Sequence, residues 1–223
     1  MRLGIETRPI PDFTPITAGE ACRRIEEAMA EELAGGRFPV LLGGEHTVTV
    51  PAVKACLAQY PDLHVVQIDA HLDLRQEYDG NENSHACVMR RLDDLGIPFT
   101  QIGIRSFSKE EYELVQARGL RPFFMHRIHA EPDWIEQVCA GINGPVYLTC
   151  DVDGLDPTIM PATGTPEPDG LTWRQTTALL RELAAKHRIV AMDFVEFSPH
   201  PGGEHAAFTV AKLIYRTLGY VFR

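Results

Sequence analysis

Three short strings, Gly43-Gly44-Glu45-His46, Asp69-Ala70-His71-Leu72-Asp73 and Cys150-Asp151-Val152-Asp153-Gly154-Leu155-Asp156-Pro157, gather carboxylates and imidazoles at regular spacing. In extended backbone, side chains alternate, so Asp69, His71 and Asp73 share one face, as do Asp151 and Asp153. Each string follows an apolar run that reads as a buried strand. Four carboxylates brought together with His46 and His71 at one sheet edge repel one another unless cations neutralise them. The donors are hard oxygens and imidazoles without a thiolate, which favours Mn²⁺ or a similar divalent ion over structural zinc. Six ligands are too many for one tetrahedral ion. They suit two ions about 3.5–4 Å apart, bridged by carboxylate and water. Taken singly, a DxD is loop or cap chemistry and a lone histidine is a packing residue. Three such strings in order, each at a strand-to-helix junction, argue for one shared centre.

The elements that must hold these strings can be read from periodicity. Apolar runs predict strands at Phe38–Leu42, Leu63–Ile68, Phe99–Ile104, Pro122–Met125, Val146–Thr149 and Ile189–Val195. Amphipathic stretches predict helices at Thr17–Ala34, Val48–Gln59, Lys109–Arg118, Pro132–Ala140, Trp173–Lys186 and Glu204–Leu218, with a further helix beginning near His85. Strands alternating with helices at this spacing predict a three-layer α/β fold. Its mainly parallel sheet carries helices on both faces, in one domain spanning residues 1–223. Ligands of such sheets collect beyond the carboxyl ends of the strands, where the three strings lie.

Composition narrows the partners. The chain has 223 residues, of which 31 are acidic and 21 basic, for a formal charge of −10. That field disfavours nucleic acid and favours metal ions or a small cationic substrate. The five cysteines are scattered without a CxxC pair and read as reduced thiols of a cytoplasmic protein. No run approaches the length of a membrane span, and the N-terminus shows no secretory pattern.

These strings, with Thr163-Gly164-Thr165-Pro166-Glu167-Pro168-Asp169-Gly170-Leu171-Thr172-Trp173-Arg174 and Met192-Asp193-Phe194-Val195-Glu196-Phe197-Ser198-Pro199, resemble the ureohydrolase (arginase/agmatinase) family from about Thr17 to the C-terminus. The resemblance implies an arginase-like fold and a hydrolase with two Mn²⁺ per chain that releases urea from a guanidino compound. By position, His46, Asp69, Asp73 and Asp151 match the ligands of one ion. Asp69, His71, Asp151 and Asp153 match those of the other, so Asp69 and Asp151 bridge. Glu196 matches the carboxylate that receives the guanidinium, and His85, in a Ser-His context similar to agmatinases, matches the proton donor to the leaving group. Asp73 counts among the catalytic residues as well as the ligands.

The chemistry suits these residue types on its own terms. A guanidinium carbon is a poor electrophile with poor leaving groups. Two ions sharing a water bring its deprotonation near neutral pH. A carboxylate such as Glu196 accepts the planar fork of N–H donors, and an imidazole such as His85, outside the metal ligands, is the residue type that can carry a proton to a leaving group. The polar stretch Asp69–Ser84 reads as a loop between metal site and substrate mouth. Asn83 and Ser84 contact the substrate tail, or Ser84 is simply a helix N-cap. Thr163 is expected to line the pocket. Gly202-Gly203-Glu204-His205 repeats the first string but has no strand before it, and reads as a helix start.

The acidic field, the Ser84-His85 context and the lack of an obvious α-carboxylate anchor point to agmatine, cleaved to putrescine and urea. Guanidinobutyrate, guanidinopropionate and arginine remain alternatives, with Arg75 or Arg90 as the group that meets a carboxylate. Other classes to distinguish are a non-catalytic metal-binding member and a deacetylase-type hydrolase with a single zinc. Family members carry a further N-terminal segment, including a first strand, whereas only about forty residues precede Gly43 here. The expectation is a compact variant, a sheet edge covered by oligomer contacts, or a truncated start. The resemblance suggests a homo-oligomer, trimer or hexamer.

Overall fold

Six apolar runs lie side by side in one sheet: β1 (Val40–Leu42), β2 (His64–Ile68), β3 (Phe99–Ile104), β4 (Phe123–Phe124), β5 (Val146–Asp151) and β6 (Ile189–Val195). Their order across the sheet is β1-β6-β5-β2-β3-β4, and every neighbouring pair is parallel. The computed structural model describes residues 4–9, 13, 14, 16–199 and 203–223. Parallel neighbours need crossovers, and the helices supply them: α1 (Ala18–Ala34), α2 (Thr49–Leu57), α3 (Val88–Asp94), α4 (Lys109–Arg118), α5 (Met125–Ala130), α6 (Trp134–Ala140), α7 (Trp173–Lys186) and α8 (Glu204–Val221).

Consecutive strand residues feed opposite cores. Val65 and Tyr147 pack with Ile25, Met29, Leu33, Val53, Met89 and Val115 of α1 to α4. Val66 and Leu148 pack with Ile128, Val138, Leu179, Leu183 and Leu213 of α5 to α8. This two-residue alternation sandwiches the sheet between two helical layers, the expected three-layer α/β arrangement. Helix starts are chemically set. The Thr17 side chain accepts from the Glu20 N–H, and Ser108 with Glu111 and Thr172 with Gln175 form capping boxes.

Three local features differ from the sequence reading. Strand β5 runs on to Asp151, because Asp151 still pairs with Val195. Helix α5 is not foreshadowed by periodicity, since its six residues carry too little of it to outweigh the apolar run before them. The 69–73 stretch is not uniformly extended: His71 bridges to Ser106 and Asp73 has φ 53°. Strand β1 forms one edge of the sheet. Of the N-terminal segment, residues 1–3, 10–12 and 15 lie outside the described residues, and 4–9, 13 and 14 form no strand. No helix among the described residues is long and apolar enough to cross a membrane.

The order β1-β6-β5-β2 is what assembles the polar residues. It makes neighbours of four carboxyl ends, and these lead into His46, Glu196, Asp151 with Asp153, and Asp69.

Candidate metal centre

His46 opens a 3₁₀ turn after β1, and its approach depends on Gly43. A Cβ there would stand 2.6 Å from Val48 Cγ2 and 3.0 Å from Val195 Cγ1. Asp151 ends β5, and a second 3₁₀ turn, Val152–Gly154, carries Asp153. Gly154 is equally constrained, since a Cβ would meet the Asp69 backbone nitrogen at 2.8 Å. That close approach brings the 150–157 and 69–73 strings together.

His46 Nδ1 stands 3.0 Å from Asp73 Oδ2, 3.2 Å from Asp69 Oδ2 and 3.4 Å from Asp151 Oδ2. His71 Nδ1 stands 3.1 Å from Asp153 Oδ2 and 3.5 Å from Asp69 Oδ1. Two groups among the described residues are compact enough to hold an ion: His46, Asp69 and Asp73, and Asp69, His71 and Asp153. Asp69 belongs to both. Asp151 lies outside these two groups yet faces His46 and the same cavity.

The donor set fits divalent ions. His46, Asp69, Asp73, Asp151 and Asp153 are all buried, and His46 Nδ1 makes no hydrogen bond despite its burial. A buried ring nitrogen with no hydrogen-bond partner, facing three carboxylates, is a place where a cation fits. Protonation in the metal-free chain tells the same story. Burial and the Asp69 charge push Asp73 up to about 7. Burial, with Asp69 and Asp153 nearby, pushes Asp151 well above the carboxylate range. Burial also acts on Asp69, but the adjacent His46 and His71 imidazoles outweigh it and hold its carboxyl below that range. Despite burial, His71 rises to about 11 beside Asp153 and Asp69, and His46 rises well above its ordinary value beside Asp69 and Asp73. Protons here do what cations would do better.

The centre opens into a cavity of about 290 Å³, lined by His46, His71, Asp73, Asp151, Asp153 and Glu196, with His85, Tyr78 and Phe107 toward its mouth. The Glu196 carboxylate accepts from the His46 backbone N–H at 2.7 Å, and burial raises its pKa against that bond. Both Asp73 and Glu196 sit at positive φ, 53° and 60°. Strained backbone of this kind persists where the surroundings hold a side chain on target. His85 is half-exposed, 3.5 Å through Nδ1 from Glu45 Oε1 and edge-on to Tyr78.

Other sequence-derived residues sit elsewhere. Thr163 is absent from the cavity lining, its hydroxyl buried without a partner beside the bridge to Phe197. Thr165, two residues on, lines the cavity instead and donates to Asp153 Oδ2 at 3.1 Å. Asn83 and Ser84 also stand outside the lining. Ser84 is buried, makes no cap hydrogen bond and lies 3.4 Å from His85 Nδ1. Arg75 does line the cavity but is engaged, stacked over Tyr78 and 3.8 Å from Glu111. Arg90 pairs with Asp94. Sequence reading passed over Asp193, buried in β6 and bonded to Tyr147 and Thr49. A carboxylate inside an apolar run was the available signal.

Comparison with known proteins agrees with this geometry. The chain is 39% identical over 211 residues to an N(1)-aminopropylagmatine ureohydrolase of Thermus thermophilus, a match covering 95% of this chain and 71% of that protein. It is 37% identical to the agmatinase of Bacillus subtilis, over 88% of this chain and 69% of that one. The crystal structure of agmatine ureohydrolase from Thermoplasma volcanium superposes with a TM-score of 0.81 at 36% identity, over 91% and 69% of the two chains. The sequence model of the arginase family matches residues 3–219, a span that holds every strand and every residue of the centre. By fold and by sequence alike, the chain belongs to the arginase family.

Proposed function

We propose that the chain, acting as one domain over residues 1–223, hydrolyses a cationic guanidino compound of the agmatine type to urea and an amine, with two Mn²⁺ as its cofactor. One observation carries this reading: two His/Asp groups share the buried Asp69, their other members line a small cavity, and Glu196 lines the same cavity. His46, Asp69, Asp73 and Asp151 would hold one ion, and Asp69, His71, Asp151 and Asp153 the other. When bound, such ions would lower the pKa of a coordinated water toward neutrality.

The chain's own groups supply the rest. One oxygen of Glu196 is tied to the His46 N–H, which aims the carboxylate into the cavity to take the guanidinium fork. Asp73 is placed to accept the water's proton as the water oxygen bonds to the guanidinium carbon. The bond from that carbon to the tail nitrogen then breaks, and the nitrogen keeps the electron pair. His85, at the rim beside Glu45, delivers the proton that makes this nitrogen a neutral amine leaving group, and then takes the hydroxyl proton left on the oxygen, so that the products are urea and the amine.

The relatives' names support the same substrate class, and the net charge of −10 draws cations toward the mouth. A cytoplasmic setting is supported by five free cysteines, four of them buried. Self-association is supported by Phe208 and Tyr215, exposed two turns apart on one face of α8, and the family resemblance implies a trimer or hexamer. The deciding assay is urea release from agmatine, aminopropylagmatine, guanidinobutyrate and arginine by the manganese-loaded chain. Fastest turnover of agmatine or its aminopropyl derivative is the expected result. No urea from any of them overturns the reading.

A further inference from the structure

Behind His46, a sealed line of polar side chains crosses the sheet and fixes which ring nitrogen carries hydrogen. Thr49, Tyr147, Thr149 and Asp193 are all fully buried. Asp193 Oδ2 accepts from the Tyr147 phenol at 2.6 Å and from the Thr49 hydroxyl at 2.9 Å. Thr49 Oγ1 lies 3.3 Å from Thr149 Oγ1, which in turn lies 3.0 Å from His46 Nε2.

A hydroxyl has one hydrogen to give. Thr49 gives its hydrogen to Asp193, so toward Thr149 it can only accept. Thr149 gives its hydrogen to Thr49, so toward His46 it can only accept. The hydrogen of the last bond therefore belongs to His46 Nε2. In the neutral ring Nδ1 is then left with a bare lone pair. Nδ1 is the nitrogen that is buried without a hydrogen bond and faces Asp69, Asp73 and Asp151.

We propose that Asp193 is a positioning residue, which, through Thr49 and Thr149, holds His46 in the Nε2–H form and so reserves Nδ1 for the ion of the His46–Asp69–Asp73 group. Without the anchor, Thr149 is free to turn and donate to Nε2. The ring hydrogen then moves to Nδ1, where neighbouring carboxylates retain it and an ion is refused. The inference rests on the metal reading of the centre but concerns binding and not turnover.

The test breaks the line at the Thr49 hydroxyl, which bonds to no ion ligand and does not line the cavity; the Thr49 backbone N–H, which donates to the His46 carbonyl, is kept in every variant. Thr49→Val keeps the shape and removes the link, while Thr49→Ser keeps the hydroxyl. Manganese binding to the full chain is followed by equilibrium dialysis with metal analysis, alongside thermal melting. Thr49→Val is expected to bind one of its two ions about 10- to 100-fold more weakly, the range for lost support of a metal-bound histidine. The other ion should stay, and Thr49→Ser should match the wild type. If Thr49→Val does not fold, Thr149→Val against Thr149→Ser makes the same comparison. Two ions held by Thr49→Val as tightly as by the wild type overturns the proposal, as does equal loss in Val and Ser variants. A wild-type chain that binds two ions yet releases no urea would sink the hydrolase reading and leave this one standing. A wild-type chain that takes up no manganese would sink both.

Discussion

The Glu196 carboxylate is held at 2.7 Å by the backbone N–H of His46, which joins the residue proposed to receive substrate to a residue proposed to hold an ion. The two come from adjacent strands at opposite ends of the chain, β1 and β6, in register from Val40 with Met192 to Leu42 with Phe194. A change at Glu196 therefore separates substrate binding from metal binding. Glu196→Gln keeps an oxygen for the His46 N–H but loses the charge that meets a guanidinium. Its kcat/KM for agmatine is expected to fall by about 30- to 1,000-fold, or about 2–4 kcal/mol, with manganese content unchanged. Steady-state kinetics with metal analysis checks both halves, and an unchanged kcat/KM contradicts the assignment.

Arg105 ties the second ion group to the sheet. Its guanidinium donates to the carbonyls of Asp153 at 2.6 Å, Glu167 at 2.8 Å, Pro168 at 2.9 Å and Gly103 at 3.0 Å. A lysine ammonium cannot span such a fan of acceptors. Arg105→Lys is expected to cost about 2–3 kcal/mol through carbonyls left unpaired, and to loosen the ion held by Asp153. Denaturant melts and manganese titration report the two effects. Wild-type stability together with wild-type affinity would show the fan to be dispensable.

Thr165 offers a finer probe of the same group, because its hydroxyl donates to Asp153 Oδ2 at 3.1 Å. Thr165→Val should weaken one of the two ions by about tenfold and leave the melting temperature nearly unchanged. Thr163→Val, at a hydroxyl outside the cavity lining, should leave both ions as they are. Equal effects from the two substitutions would contradict this placement.

In the metal-free chain the acidity of the centre fixes the sign of its pH dependence. Asp73 is raised from 3.8 to about 7, by burial and then by Asp69. His71 is raised from 6.5 to about 11 by Asp153 and Asp69, in spite of burial. Both hold protons more tightly folded than unfolded. The folded chain thus binds more protons over these windows, and stability falls as pH rises. The Asp73 share is lost between about 4 and 7, and the His71 share is full below about 6.5 and gone by about 11. Asp69, held low, acts only under about pH 4. Ions need the same groups deprotonated, so the stabilisation that manganese adds should grow over the range where the metal-free chain weakens. Melting temperatures with chelator and with manganese, at steps from roughly pH 5 to 9, test this. A manganese increment that shrinks with pH contradicts it.

Much of this arrangement was legible in the amino-acid order because local patterns carried it. Apolar runs of five to seven residues bounded by turns located the strands Leu63–Ile68, Phe99–Ile104 and Ile189–Val195 within a residue. The spacing of Asp69, His71 and Asp73 announced a shared centre before any contact was known. What stayed hidden depends on contacts far apart in sequence. The apolar run ended the predicted strand at Thr149, yet the pairing of Asp151 with Val195 carries β5 on to Asp151. Asp193 had no role assigned from its pattern, because its partners Tyr147 and Thr49 lie 46 and 144 residues away. Thr163 and Thr165 are alike in type and differ by two positions, so only the path of their loop decides which one reaches the cavity.

The most direct measurement is anomalous diffraction at the manganese edge from crystals grown with the metal. Two peaks about 3.5–4 Å apart are predicted, with Asp69 between them and His46 and His71 on either side. A single peak, or peaks away from these side chains, would contradict the two-ion centre.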